Sequence, residues 1–150
     1  MTVSAVQPIC LPDPGQDYNR KAALVSGWGL DKYKGEYHNI LQKTKVYTTK
    51  CRNARFKWPE IYDNQISDKM ICAFAPGTDA CQGDSGGPLA VRGPDGSYSQ
   101  IGIVSFGFEC AKNLPGLYTR VAAFLPWIKE KISGKNSALQ KNSGALELNC

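Results

Sequence analysis

Short apolar runs separated by turn-forming residues dominate this chain of 150 residues. Their length and their enrichment in β-branched and aromatic residues are typical of antiparallel strands. The segment between residues 93 and 97 reads Gly-Pro-Asp-Gly-Ser, and its Asp-Gly pair favours a hairpin turn. We therefore predict five strands, at Ala22–Ser26, Leu41–Thr48, Gly87–Val91, Gln100–Phe106 and Leu117–Val121.

The hydrophobic period changes near the C-terminus. Phe124, Trp127, Ile128 and Ile132 recur at helical spacing, opposite the charged run 129–131. This pattern predicts one amphipathic helix that closes the domain. Residues 133–150 are rich in Ser, Asn, Lys and Gly and have no sustained period, which predicts a flexible tail. The chain is thus expected to be an all-β domain over residues 1–132 with a C-terminal helix, followed by a tail.

Composition adds little to this picture. The chain is 42% hydrophobic and 21% charged, values that are ordinary for a globular protein. Its net charge of +5 comes from Lys and Arg residues without a long run, so a solvated basic surface is a better interpretation than nucleic-acid binding. No apolar stretch is long enough to span a bilayer.

Six cysteines change the picture more. They are scattered and form no Cys-x-x-Cys pair, which favours disulfides over a zinc site. Disulfides imply an oxidising compartment, so we expect a secreted protein. The first residues lack the features of a signal peptide. From this conflict we expect the sequence to be part of a longer protein, through truncation, an incomplete gene model or a spliced isoform.

The segment Asp79-Ala80-Cys81-Gln82-Gly83-Asp84-Ser85-Gly86-Gly87-Pro88-Leu89 carries the candidate chemistry. A serine hydroxyl is a poor nucleophile unless a base removes its proton and donors stabilise the oxyanion that it creates. The glycines let the backbone bend so that the N–H groups of Gly83 and Ser85 can point at one oxygen. A glycine-rich turn with an incidental serine would explain the glycines, but not the cysteine and acidic residues beside them.

At these residues the chain resembles the chymotrypsin/trypsin family of serine proteases, from about Val6 to about Ile132. The resemblance implies the C-terminal antiparallel β-barrel of a two-barrel fold and an enzyme without a metal or other cofactor. Six segments carry it in the family's order: Ile9–Pro12, Ser26–Gly29, Met70–Ala73, Asp79–Leu89, Gly102–Gly107 and Pro115–Val121.

The resemblance also implies roles for the serine segment. Ser85 would be the nucleophile, and Gly83 with Ser85 would supply the oxyanion hole. Asp84 would pair with the new N-terminal ammonium after zymogen cleavage, although a purely local role as a turn acceptor is the alternative.

Substrate choice follows by the same resemblance from Asp79, which would form the floor of the specificity pocket and favour Arg or Lys before the scissile bond. Gly107 and Gly116 would form the pocket walls, and Ser105 would also contact the substrate. Glu109 departs from the family's usual glycine; its carboxylate would either narrow the pocket mouth or attract basic substrates. Phe106 replaces the usual tryptophan and keeps an apolar platform.

Family pairing implies the disulfides Cys51–Cys72 and Cys81–Cys110, with Cys10 as the candidate for a link to an upstream regulatory chain. Cys150 has no counterpart. Another common disulfide is replaced by Ala23 and Val91. The loop between Cys51 and Cys72 carries four residues that suggest an exosite, although a solvated insertion is the alternative: Arg52, Arg55, Lys57 and Trp58.

The family's triad histidine and aspartate lie in an N-terminal barrel that this sequence does not contain. The one histidine, His38, falls in a segment that the resemblance makes a variable surface loop. We therefore expect a secreted endopeptidase that cuts proteins or peptides after Arg or Lys through an acyl-enzyme, with this chain inactive by itself. A non-catalytic binding module is the alternative.

Overall fold

The computed structural model of the protein describes residues 6–53, 58–107, 109–110 and 112–133. A 3₁₀ turn at Val121–Phe124 precedes the last helix. The other elements, in chain order, are β1 (Ala22–Gly27), β2 (Gln42–Thr49), α1 (Glu60–Asp63), β3 (Met70–Phe74), β4 (Pro88–Arg92), β5 (Tyr98–Phe106), β6 (Gly116–Arg120) and α2 (Leu125–Ser133).

The strands form a closed barrel in the order β1-β2-β3-β6-β5-β4, and every neighbouring pair is antiparallel. Alternate residues point inward and fill the barrel. The core includes Val46, Leu89, Ile101 and Tyr118, each at most 1% exposed. The predicted all-β class, with an antiparallel barrel and a C-terminal helix, is confirmed. In the described part of the chain, neither helix has the length and apolar character needed to cross a bilayer.

All five predicted strands are present, with ends that differ by one or two residues. The prediction missed β3. Its central residues Ile71, Cys72 and Ala73 are all buried, so the strand shows no alternation of polar and apolar positions. A run of only five residues without alternation carries little periodic signal.

The predicted C-terminal helix exists, but only part of its predicted apolar face is buried, because Phe124 and Ile128 are partly buried and the other two residues are exposed. Trp127 is 58% exposed and Ile132 is 49% exposed, whereas Leu125 is only 4% exposed. The helix is attached through its first turn because the preceding 3₁₀ turn brings Leu125 onto the barrel. Of the predicted tail, residues 134–150 lie outside the described residues.

The predicted hairpin turn connects β4 with β5. The Gly93 N–H donates to the Ser97 carbonyl over 2.8 Å. Gly96 has φ of +89°, the left-handed region that favours glycine. The Asp95 carboxylate accepts from the hydroxyl and the N–H of Ser97. These hydrogen bonds lower the pKa of Asp95 below its usual value, and the bond from the Ser97 hydroxyl has the larger effect.

Candidate active site

Two consecutive tight turns form the loop around Ser85. The Asp84 N–H donates to the Cys81 carbonyl over 3.0 Å, and the Gly87 N–H donates to the Asp84 carbonyl over 2.9 Å. Each turn has a glycine with positive φ at its third position: Gly83 at +95° and Gly86 at +83°. A type II turn requires this conformation there, so the spacing of the glycines defines the shape of the loop.

Ser85 lies at the second position of the second turn and is exposed. Among the described residues, no hydrogen bond uses the N–H of Gly83 or of Ser85. The Ser85 hydroxyl likewise has no hydrogen-bond partner in the described part of the chain. The loop therefore presents a hydroxyl and two backbone donors that can still bind a ligand.

The Asp84 carboxylate holds the loop against the segment that follows β1. Its oxygens accept from the Gly29 N–H at 2.8 Å and from the Cys81 N–H at 2.9 Å. A Cβ at Gly27 would lie 2.0 Å from the carboxylate, and a Cβ at Gly29 would lie 2.6 Å from it. Both glycines are therefore needed to make room for Asp84, a reason that the sequence pattern alone did not supply.

Ser85 borders a cavity of about 220 Å³ that also contains the predicted specificity residues. Asp79, Ser105, Gly107 and Gly116 all line this cavity. The last two come from the far end of the chain, after β5 and at the start of β6. Closure of the barrel therefore brings the Asp79 carboxylate and the Ser85 hydroxyl to one cavity, where two glycines leave the walls without side chains.

The two wall glycines differ in how closely they approach Asp79. A Cβ at Gly116 would lie 2.6 Å from an Asp79 oxygen, whereas a Cβ at Gly107 would lie 3.8 Å from the other oxygen. Ser105 lies at an irregularity in the pairing of β5 with β6, where the register shifts between Val104 and Phe106. A bulge of this kind redirects a side chain beside a site.

Two tyrosines support the cavity in ways that sequence reasoning missed. Tyr118 is fully buried, and its hydroxyl has no partner of normal hydrogen-bond geometry in the described residues. Burial, and then the negative charge of Asp79, raise the pKa of Tyr118 well above its usual value. Tyr62 of α1 stacks on Phe106 with 6.0 Å between ring centroids, which holds the apolar wall in place.

Both disulfides of the predicted pairing are present. Cys51 is bonded to Cys72, and Cys81 is bonded to Cys110, with Cα–Cα distances of 5.1 and 5.2 Å. The second bond lines the cavity. Where the family often has another disulfide, Ala23 and Val91 are packed in the core instead.

Cys10 is buried and is itself disulfide-bonded. The link to an upstream chain that the family resemblance implies would need a different pairing, and it stays a prediction. Cys150 lies outside the described residues.

A second cavity, of about 210 Å³, reaches the serine loop at Asp84. Asp84 and His38 line it together with Asp79, which borders both cavities. Ser85 does not line this second cavity, and His38 does not line the first one. The one histidine of the sequence is therefore in a different cavity from the serine.

Glu109 forms an ion pair with Lys112 and is not among the residues that line the cavity beside Ser85. Its charge is thus balanced within the chain. In the described residues, no cluster of His, Cys, Asp or Glu side chains could hold a metal ion.

In the predicted exosite loop, Arg52 pairs with Asp63 at 3.2 Å. The Trp58 indole N–H donates to the Cys51 carbonyl at 2.9 Å. Two of the four proposed exosite residues therefore have partners within the chain. The other two, Arg55 and Lys57, lie outside the described residues.

Comparison with known proteins agrees with this geometry. Residues 2–128 match the family model described as Trypsin. The chain belongs to the trypsin family. It is 41% identical over 130 residues to transmembrane protease serine 9 from Rattus norvegicus and 42% identical over 135 residues to suppressor of tumorigenicity 14 protein homolog from Bos taurus. It is 38% identical over 144 residues to clotting factor G beta subunit from Tachypleus tridentatus.

These alignments cover 85%, 86% and 89% of the chain, respectively. They cover only 12%, 15% and 47% of the three relatives. The chain therefore corresponds to less than half of each of these trypsin-family proteins.

Proposed function

We propose that this chain supplies the nucleophile and the specificity pocket of a secreted serine endopeptidase that cuts after Arg or Lys. The observation that carries the proposal is the single cavity in which the Asp79 carboxylate and Ser85 meet. Membership of the trypsin family supports proteolysis as the reaction. The two disulfides support an extracellular location.

In this reaction the Ser85 oxygen attacks the carbonyl carbon of the scissile peptide bond, and a histidine from outside this sequence takes the hydroxyl proton. The N–H groups of Gly83 and Ser85 stabilise the oxyanion. The peptide C–N bond then breaks, and the departing amine takes the proton from the histidine. Water hydrolyses the resulting acyl-enzyme and regenerates the Ser85 hydroxyl.

Preference for Arg or Lys rests on Asp79. Its carboxylate lies in a cavity that is partly closed from water, where a cationic side chain restores the lost solvation of the negative charge. The absence of side chains at Gly107 and Gly116 leaves space for a long substrate side chain.

We propose that Asp84 changes partners on activation. Asp84 lines the second cavity, where an N-terminal ammonium would replace the hydrogen bonds from Gly29 and Cys81. A charged partner is stronger than a backbone donor, so the exchange is favourable when the ammonium is present.

The test joins this chain to the N-terminal barrel of a trypsin-family relative and measures cleavage of a peptide library. We expect cleavage after Arg and Lys, loss of all cleavage in Ser85→Ala, and loss of the basic preference in Asp79→Ser. Asp68→Ser, at an exposed position away from the cavity, is the control and should keep the preference. Unchanged preference in Asp79→Ser would contradict the assignment of the pocket floor.

A non-catalytic binding module is the second candidate, because the one histidine lies outside the cavity that contains Ser85. Benzamidine binding to the chain tests for the specificity pocket that the protease assignment requires, since an amidinium pairs with a pocket carboxylate. Binding that is lost in Asp79→Asn supports a protease pocket. Equal binding in both forms supports the module.

A further inference from the structure

Positive charge is concentrated in one part of the chain. Residues 20–57 contain ten of the eighteen Lys and Arg residues but only two of the thirteen Asp and Glu residues. The other residues hold more acidic than basic side chains. Most of this basic segment forms β1, β2 and the loop between them. The chain's modest net charge therefore hides a strong local excess.

Part of this excess lies on the outer face of β2. The strand alternates, with Val46 and Thr48 buried and Lys43, Lys45 and Tyr47 exposed. We refer to these three exposed residues as the basic β2 face. Their side chains share one side of the sheet because the side-chain period of a strand is two.

The residues paired with this face across the sheet are uncharged. The cross-strand partners of Lys43, Lys45 and Tyr47 on β1 are Ser26, Leu24 and Ala22, and the partner of Tyr47 on β3 is Phe74. None of these carries a charge. Among the described residues, neither Lys43 nor Lys45 takes part in an ion pair.

Further cations extend this face along the hairpin. The N–H groups of Arg20 and Lys21 both donate to Thr48, so these residues lie beside the end of β2, and Lys50 follows the strand directly. At the rise of a β-strand, the distance from Lys43 to Lys50 is about 23 Å. Cations therefore lie at both ends of the surface strip that runs from Lys43 to Lys50.

The Tyr47 ring adds an apolar surface within this strip. It is 49% exposed, and the Lys45 ammonium lies 5.7 Å from its centroid. A cation beside an exposed aromatic ring can bind an anionic group while the ring contacts the apolar face of a sugar. The strip thus offers two kinds of contact, ionic and apolar.

We propose that the basic β2 face binds a sulfated polysaccharide chain. An extended strand face fits a linear polyanion, whereas a single phosphate is usually held in a concave nest of backbone N–H groups. The disulfides favour an extracellular setting, where sulfated polysaccharides are available as linear polyanions. None of the three residues lines the cavity beside Ser85. Lys43 also lines the second cavity, together with Asp31 and Asp84, so Lys45 and Tyr47 carry the part of the proposal that is separate from the protease assignment.

The test measures binding of the full chain to a heparin-derived octasaccharide by titration calorimetry at several salt concentrations. We expect binding that weakens as salt rises, and about tenfold weaker binding in Lys43→Gln/Lys45→Gln. Lys129→Gln/Lys131→Gln removes the same charge from α2 and is the matched control, which should bind like the unaltered chain. Two lysines separated by two positions share a face on a strand but not on a helix.

Equal weakening in the two double variants would overturn the proposal, because it would show a response to net charge alone. Undiminished binding of the desulfated octasaccharide, or tighter binding of a poly-glutamate peptide, would also overturn it. Acetylation mapping of the unaltered chain does not depend on how the variants fold. The octasaccharide should protect Lys43 and Lys45 from acetylation but leave Lys131 reactive, and the absence of that difference would contradict the proposed site.

Discussion

At the scale of single residues, the candidate site depends on positions where a side chain is missing. The space beside Asp79 and Asp84 exists because Gly116, Gly27 and Gly29 leave it open. A carboxylate that is crowded by an added carbon must move, and its hydrogen bonds must then change. The role of each of these glycines is therefore to leave room for a neighbouring carboxylate.

The two walls of the cavity should respond differently to alanine. Gly116→Ala puts a Cβ 2.6 Å from the Asp79 carboxylate, whereas Gly107→Ala puts one at 3.8 Å. We expect Gly116→Ala to lower the free energy of unfolding by about 1–3 kcal/mol and to weaken benzamidine binding at least tenfold. Gly107→Ala should change stability by less than about 0.5 kcal/mol. Denaturant titration and calorimetry measure both effects, and equal destabilisation would contradict the geometry.

At the scale of elements, the β4–β5 hairpin and the disulfides make distinct contributions. The hairpin is stabilised locally by the bonds of Asp95 to Ser97. The disulfides instead join segments separated by 21 and 29 residues. Hydrogen bonds to a carboxylate weaken when acid protonates it, whereas disulfides stabilise the fold by restricting the unfolded chain.

The Asp95 carboxylate should make the hairpin sensitive to acid. Because its pKa is lowered in the folded chain, its contribution is present above its ordinary unfolded pKa, about 3.9, and is lost as pH falls through the lowered folded value. Asp95→Asn should therefore be less stable than the unaltered chain at pH 7, and the difference should vanish in acid. Thermal unfolding across this pH range is the measurement, with Asp68→Asn as the control for removing one surface charge. A difference that persists at the lowest pH would argue against a role for ionised Asp95.

The two disulfides should contribute equally to the stability of the chain, but only one of them should affect ligand binding. Removing either pair by alanine substitution should cost about 3 kcal/mol by the loop-entropy relation, because the two loops are of similar length. Only Cys81→Ala/Cys110→Ala should also lose benzamidine binding, since that bond lines the cavity and Cys51–Cys72 does not. Urea unfolding and calorimetry test the two statements separately. Loss of binding in Cys51→Ala/Cys72→Ala at temperatures where it is folded would refute the distinction.

At the scale of the whole molecule, the chain holds only part of the proposed catalytic apparatus. Among the described residues, none accepts or donates a hydrogen bond at the Ser85 hydroxyl. His38 lines the other cavity. The Asp84 carboxylate is held by backbone N–H groups of this chain. Each feature is consistent with a catalytic unit that needs a further segment.

The purified chain should therefore show no measurable peptidase activity. Without a base the Ser85 hydroxyl stays protonated, and even the residual rate enhancement of about 10³–10⁴ that this mechanism retains without its triad needs an intact oxyanion hole and cleft. The measurements are hydrolysis of an arginine ester and labelling by a serine-directed phosphonate, each beside Ser85→Ala. Labelling that depends on Ser85 would mean that His38 or another group of this chain acts as the base.

Much of the fold was predictable because its signals are local. The period of the apolar residues indicated five of the six strands, and the Asp-Gly pair located the hairpin. Strand β3 was missed because three consecutive buried residues remove the alternation. Trp127 and Ile132 of the predicted helix face are exposed because the helix is held at Leu125, which helical period alone does not indicate.

The sequence by itself determined the shape of the serine loop, because glycines at the third position of two turns allow the positive φ that those turns require. Through the family resemblance it also indicated both disulfide pairs. Only the tertiary structure decided what surrounds the loop: the cavity that Asp79 shares with Gly116, the bond of Gly29 to Asp84, and the stacking of Tyr62 on Phe106. These contacts join residues far apart in the chain, and barrel closure and register, which no local pattern encodes, bring them together.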